Sequence, residues 1–111
     1  MKDNVVKDKS LEFAVRIVNL YKFLVNEQKE FVMSKQILRS GTSIGANIRE
    51  AEQAQSRADF INKLNIALKE ANETEYWLEL LIRTEYITRE QYESINNDST
   101  CLLYTSPSPR D

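Results

Sequence analysis

No proline interrupts the chain before position 107, and its only two glycines, Gly41 and Gly45, stand one helical turn apart. A chain with so few places to turn builds long helices joined by short polar connections. Both glycines lie within residues 37–54, ILRSGTSIGANIREAEQA, whose apolar residues hold helical phase across them. At 100° per residue, Ile37, Ile44, Ile48 and Ala51 form one stripe, with Ser40, Ser43, Asn47 and Ala54 on one flank and Gly41 and Gly45 on the other. Each glycine costs a helix interior about 1 kcal/mol relative to alanine, so the pair implies a compensating close approach by another helix. The alternative is a break at Gly41 or Gly45.

The rest of the chain reads the same way. Residues 1–9 are polar and are expected to fray, with Asp8 or Ser10 as the N-cap of a first helix that runs to about Asn26. That helix carries two apolar stripes. Phe13, Ile17, Leu20 and Leu24 form one, and Leu11, Ala14, Val15, Val18, Tyr21 and Val25 form the other, together spanning roughly 220° of the circumference. Such width fits burial on two sides, by a bundle core and by a subunit contact, or else a central helix of a monomer. After the charged connection Glu27-Gln28-Lys29-Glu30, a second helix starts near residues 31–34 and ends around Gln55.

Ser56-Arg57-Ala58-Asp59 has the form of a capping box and opens a third helix, expected to last to about Thr84. Its core seam is a near-strict heptad of Phe60, Leu64, Ala67, Ala71, Thr74, Leu78 and Leu81. Thr88-Arg89-Glu90-Gln91 caps a fourth helix that points Tyr92 and Ile95 inward, with Tyr86-Ile87 stapled onto Tyr92. The expected fold is all-α, an antiparallel up-down four-helix bundle with a truncated fourth helix.

Truncation is expected because residues 101–111, CLLYTSPSPRD, break with everything before them and resemble one reading frame through a transposase-based sequencing adapter. On this reading residues 1–100 are the bundle domain, its fourth helix stopping after three turns, and 101–111 are a non-native tail. A native disordered tail is the alternative.

Composition removes several function classes. The chain contains no histidine and one cysteine, so Ser-His and Cys-His nucleophilic chemistry and Cys/His zinc sites lack their residues. Glu70, Glu73, Glu75 and Glu79 cluster on the third helix, but carboxylate-bridged di-metal bundles also need Glu-x-x-His pairs. Gly41-Thr42-Ser43-Ile44-Gly45 lacks the Gly-Lys-Ser/Thr ending of a phosphate loop. We therefore expect no enzyme and no cofactor. A net charge of −2 provides no strong field for nucleic acid or anionic lipid, and the absence of a signal peptide or long apolar run points to a cytoplasmic protein without membrane contact.

Two features remain. Glu75 sits on the shoulder of the third-helix seam, either solvated at its edge or buried with hydrogen bonds from Ser43 and Asn47. Ile66, Trp77 and Leu80 form a second apolar patch on the same helix, a candidate oligomer interface.

RSGTSIGANIREA, followed by DFINKLNIALKEANETE, resembles the bacterial four-helix-bundle family that includes proteins encoded in intervening sequences of large-subunit ribosomal RNA. The family pattern falls on Arg39, Ser43, Ile44, Asn47, Ile48 and Glu50, then on Phe60, Leu64, Ile66, Ala67, Glu73 and Glu75, over about residues 8–98. Gly45 stands where many members have proline and Ala51 where many have glycine. The resemblance implies a homopentamer built as a barrel of bundles. It also includes an accessory protein of diversity-generating retroelements whose basic surface contacts reverse transcriptase and nucleic acid. The sequence pI of about 5.3 departs from that basic relative, so its role is not carried over.

The expected function is thus a non-catalytic, homo-oligomeric interaction or scaffold protein. The family motif and helix-packing residues are Arg39, Gly41, Ser43, Gly45, Asn47, Glu50, Glu73 and Glu75. The alternative is an RNA- or ribonucleoprotein-binding accessory module using Lys35, Arg39, Arg49 and Arg57, although these alternate with Glu50, Glu52 and Asp59.

Overall fold

A computed structural model describes residues 2–105 as four helices, α1 (Lys2–Asn26), α2 (Met33–Glu52), α3 (Arg57–Arg83) and α4 (Arg89–Thr105). Each helix packs against its neighbours in chain order, and α4 closes the square against α1. The backbones of the diagonal pairs, α1 with α3 and α2 with α4, stay apart. The molecule measures 43 × 22 × 19 Å, its long dimension matching the 27 residues of α3 at about 1.5 Å each.

The core follows the apolar stripes. Ile37, Ile44, Ile48 and Ala51 of α2 are buried, as are Phe13, Ile17, Leu20 and Leu24 of α1 and Leu64, Ala67, Ala71, Thr74, Leu78 and Leu81 of α3. Phe60, at the start of the α3 seam, is half-buried. Helix α2 does not break at its glycines, neither of which has positive φ. Ser56 Oγ accepts from the Asp59 amide at 3.1 Å. At α4 the capping box is reciprocal, the Gln91 amide donating to Thr88 Oγ1 at 3.1 Å and the Thr88 amide to Gln91 Oε1 at 2.8 Å.

Three expectations about helix ends are corrected. Residues 2–9 are helical rather than frayed, and neither Asp8 nor Ser10 is an N-cap. Val6, 1% exposed, extends the buried seam one heptad before Phe13, and nothing in the preceding residues breaks a helix. Ser10 Oγ instead bonds back to the Lys7 carbonyl at 2.9 Å. Helix α2 stops at Glu52, three residues before the expected end. Helix α4 continues past residue 100 to Thr105, burying Leu102 to 2% exposure in phase with Ile95 and Ser99. Cys101 and Leu102 therefore belong to the helix, whatever their origin. The rest of the expected tail, residues 106–111, lies outside the described residues.

The connections carry chemistry of their own. Glu30 is buried between α1 and α2, and its carboxylate accepts from the amides of Val32 (3.1 Å), Met33 (2.9 Å) and Ser34 (2.7 Å). It closes the α2 N-terminus, where orphan N–H groups and the helix dipole favour an anion. Helix α3 ends in a Schellman motif. Glu85 at φ 68° lets the Tyr86 amide reach the Leu81 carbonyl at 2.9 Å, and its own amide reaches Ile82 at 3.1 Å.

Candidate functional site

Of the motif residues, Arg39, Glu50 and Glu73 meet partners across the seam between α2 and α3. At its buried centre Ser40 and Thr74, both 0% exposed, are hydrogen-bonded to each other at 2.9 Å. Thr74 Oγ1 also lies 2.8 Å from the Glu70 carbonyl oxygen. A hydroxyl pair in an apolar seam ties the register of α2 to that of α3, because sliding either helix would break the bond between them in low dielectric.

Outside this pair sits a charged clasp. Arg39 donates to Glu70 at 3.3 Å and to Glu73, and the Trp77 indole N–H donates to the same Glu73 oxygen at 3.2 Å. The hydrogen bond from Arg39, followed by that from Trp77, holds the Glu73 carboxyl below the usual carboxylate range. The same hydrogen bond to Glu73, outweighing burial, raises the Arg39 guanidinium above its ordinary value. With two carboxylates on it, Arg39 is engaged within the fold rather than presented to an outside phosphate. Further along, Glu50 meets Lys63 at 2.8 Å, and that bond raises the lysine.

The remaining motif residues serve the backbone. Ser43 Oγ donates to the Arg39 carbonyl at 2.6 Å and Asn47 Nδ2 to the Ser43 carbonyl at 2.9 Å. Neither reaches Glu75. Of the two readings open for Glu75, the structure shows a half-buried carboxylate whose partner is on α4 and not α2, with Ser99 Oγ donating to it at 3.3 Å. Gly41 and Gly45 lie on the opposite flank of α2, against α1. A Cβ on Gly41 would fall 2.8 Å from Ile17, and one on Gly45 would fall 3.3 Å from Ser10 Oγ. Ser10 is the residue that sequence reasoning missed here, having been assigned to a cap.

Ile66, Trp77 and Leu80 are each half-buried, and Trp77 packs on the core as well as bonding Glu73. The apolar side chains most open to solvent along the helices lie elsewhere. On α1 they are Leu11 (51%) and Val15 (53%), from the second stripe; on α3 they are Leu68 (48%) and Tyr76 (59%). Between α1 and α4 runs a groove of about 430 Å³ lined by Lys9, Glu12, Phe13, Arg16, Asp98 and Cys101. Of its charged residues, Arg16 meets Asp98 at 2.6 Å. Among the described residues no group of three or more carboxylate or cysteine side chains is placed to hold a metal ion, and no helix is long and apolar enough to cross a membrane.

The model of the family described as 23S rRNA-intervening sequence protein matches residues 2–104. The chain is also similar to a protein of the S23 ribosomal protein family from Bacteroides thetaiotaomicron VPI-5482, a protein with unknown function solved by crystallography at 1.70 Å. The two are 95% identical, the match covering 95% of this chain and 94% of that one, with a TM-score of 0.93. No match was found among curated proteins.

Proposed function

The chain belongs to the 23S rRNA-intervening sequence protein family, and from that premise we propose that it is a non-catalytic cytoplasmic helical-bundle protein that acts by assembling with copies of itself, without a cofactor. The observation that carries the reading is the exposure of Leu11 and Val15, on a helix whose opposite stripe already supplies the core. Water contact along a second apolar row is unfavourable by about 25 cal/mol per Å², and a subunit contact removes it. The pentamer that the resemblance implies is one closed form of such an assembly.

The RNA-binding alternative has less support. Of the basic residues it would use, Arg39 is held by Glu70 and Glu73, and Arg49 is followed directly by Glu50 in a chain of net charge −2. A test of the reading is the pair Leu11→Asp and Val15→Asp in one chain, compared with wild type by light scattering. Loss of assembly to the 12.9 kDa chain, with helical circular dichroism retained, is the expected result. An assembly of unchanged mass would overturn it.

A further inference from the structure

We propose that the end of the bundle formed by the α1–α2 and α3–α4 turns is a second self-contact, through which two assemblies of the chain meet face to face. This rests on the reading that the chain self-assembles, and it uses a surface separate from Leu11 and Val15.

Both turns lie at one end of the bundle, and the Gln28 side chain ties them together by donating to the Tyr86 carbonyl at 2.9 Å. Among the described residues, the large apolar side chain most open to solvent stands here: Val32 is 73% exposed, with Phe31 beside it at 53%. Side chains this apolar and this open leave water only against a partner.

Charge identifies the partner. The first turn bears exposed Lys29 and Lys35 against one exposed acid, Glu27, its Glu30 being buried on the α2 amides. The second bears exposed Glu85 and Glu90, while its Arg83 and Arg89 are held by Glu79 at 2.9 Å and by Glu93 at 3.7 Å. One turn thus presents positive charge and the other negative. Bases and acids at this end balance, which offers no net field to an anionic lipid or a nucleic acid. A second copy is the complement. A two-fold axis between the turns sets the positive turn of each copy on the negative turn of the other, with Lys29 facing Glu85 twice and Phe31 and Val32 covered by the same contact. Lys29 at φ 56° and Glu85 at φ 68° both stand in the left-handed region where glycine is usual, so each charge is held there at a conformational cost.

The bundle is 22 × 19 Å across this end. One such pair therefore buries roughly 800 Å² in all, short of the ~1,200 Å² of a stable complex, so single chains do not pair this way. In a closed cyclic assembly every copy presents this end on the same face, and several weak pairs form at once. Because the contact is isologous it closes on itself: two assemblies meet, and no third joins through it.

The test follows the mass of the wild-type chain by sedimentation velocity over a wide concentration range. The expected result is one multiple of the chain when dilute, which doubles, and only doubles, when concentrated. Phe31→Asp should keep the undoubled mass at every concentration. Lys29→Glu and Glu85→Lys, each alone, should lose the doubling, and the two in one chain should regain it. An assembly that never doubles, that doubles equally well in Phe31→Asp, or that the charge exchange does not rescue would overturn this contact and leave self-assembly standing. A monomer at every concentration would overturn both. Binding of the wild-type chain to phosphatidylserine vesicles, lost in Phe31→Asp, would also overturn it and assign this end to a lipid surface.

Discussion

A methyl group on Gly41 would lie 2.8 Å from both Cγ1 and Cγ2 of Ile17. Ile17 is fully buried and β-branched on a helix, so it has little freedom to rotate away. Helices α1 and α2 thus approach closely where the glycine pair allows it. Gly41→Ala is expected to destabilise by about 1–3 kcal/mol through overpacking, only partly offset by about 1 kcal/mol of helix propensity. Gly45→Ala meets only Ser10, at 3.3 Å or more, and should stay within about 1 kcal/mol of wild type. Urea midpoints of the two variants measure the contrast; equal losses would show that the approach at Gly41 is not the cause.

Glu30→Ala removes three amide partners from the start of α2 at once. Loss of a cap costs about 0.5–2 kcal/mol, and this carboxylate is buried and faces the positive end of a helix dipole, so the upper end is expected. Glu30→Gln keeps one acceptor oxygen and should recover about half. Thermal melts at neutral pH check the order of the three proteins.

Ser34 Oγ is buried without a hydrogen-bond partner among the described residues. An unsatisfied buried hydroxyl costs about 1–3 kcal/mol, and alanine removes it with little change of volume. Ser34→Ala should therefore be neutral or stabilising by up to about 1 kcal/mol, read as a higher urea midpoint. A clear loss would mean that the hydroxyl has a partner.

Acid should weaken the clasp of α2 and α3. The folded Glu73 carboxyl is depressed by hydrogen bonds from Arg39 and Trp77. A depressed acid lends stability above its unfolded pKa of about 4.3 and loses it as pH falls through the lower folded value. Because the pair is substantially solvent-exposed, the contribution at pH 7 is about 0.2–1 kcal/mol. Glu73→Gln should be less stable than wild type by that amount at pH 7 and converge with it only once the pH has fallen below the depressed folded value. Stability measured from pH 7 to 3 decides this.

The residues that were legible in the sequence are those whose signal is local. The α2 stripe, the α3 heptad and the caps at Ser56 and Thr88 depend on spacing within one helix, and the structure places them accordingly. Glu30 was not legible because a carboxylate in a charged connection reads as solvated; its burial depends on how the turn after α1 folds back on α2. Helical phase put Glu75 on a shoulder of α3 but carried no information about which neighbour stood there, and Ser99 of α4 was the answer. The helical start of α1 was missed for a similar reason. Val5 and Val6 stand together in a polar run, and only packing shows that Val6 joins the core while Val5 stays exposed.

Self-assembly is the central claim, and the mass of the wild-type chain in solution tests it most directly. Size-exclusion chromatography with light scattering, with absorbance followed at two wavelengths for bound nucleic acid, should give one discrete multiple of 12.9 kDa, a pentamer on the family resemblance, free of RNA. A single 12.9 kDa species across the accessible concentration range would contradict the claim, and an assembly that holds together only with co-eluting RNA would transfer support to the RNA-binding alternative.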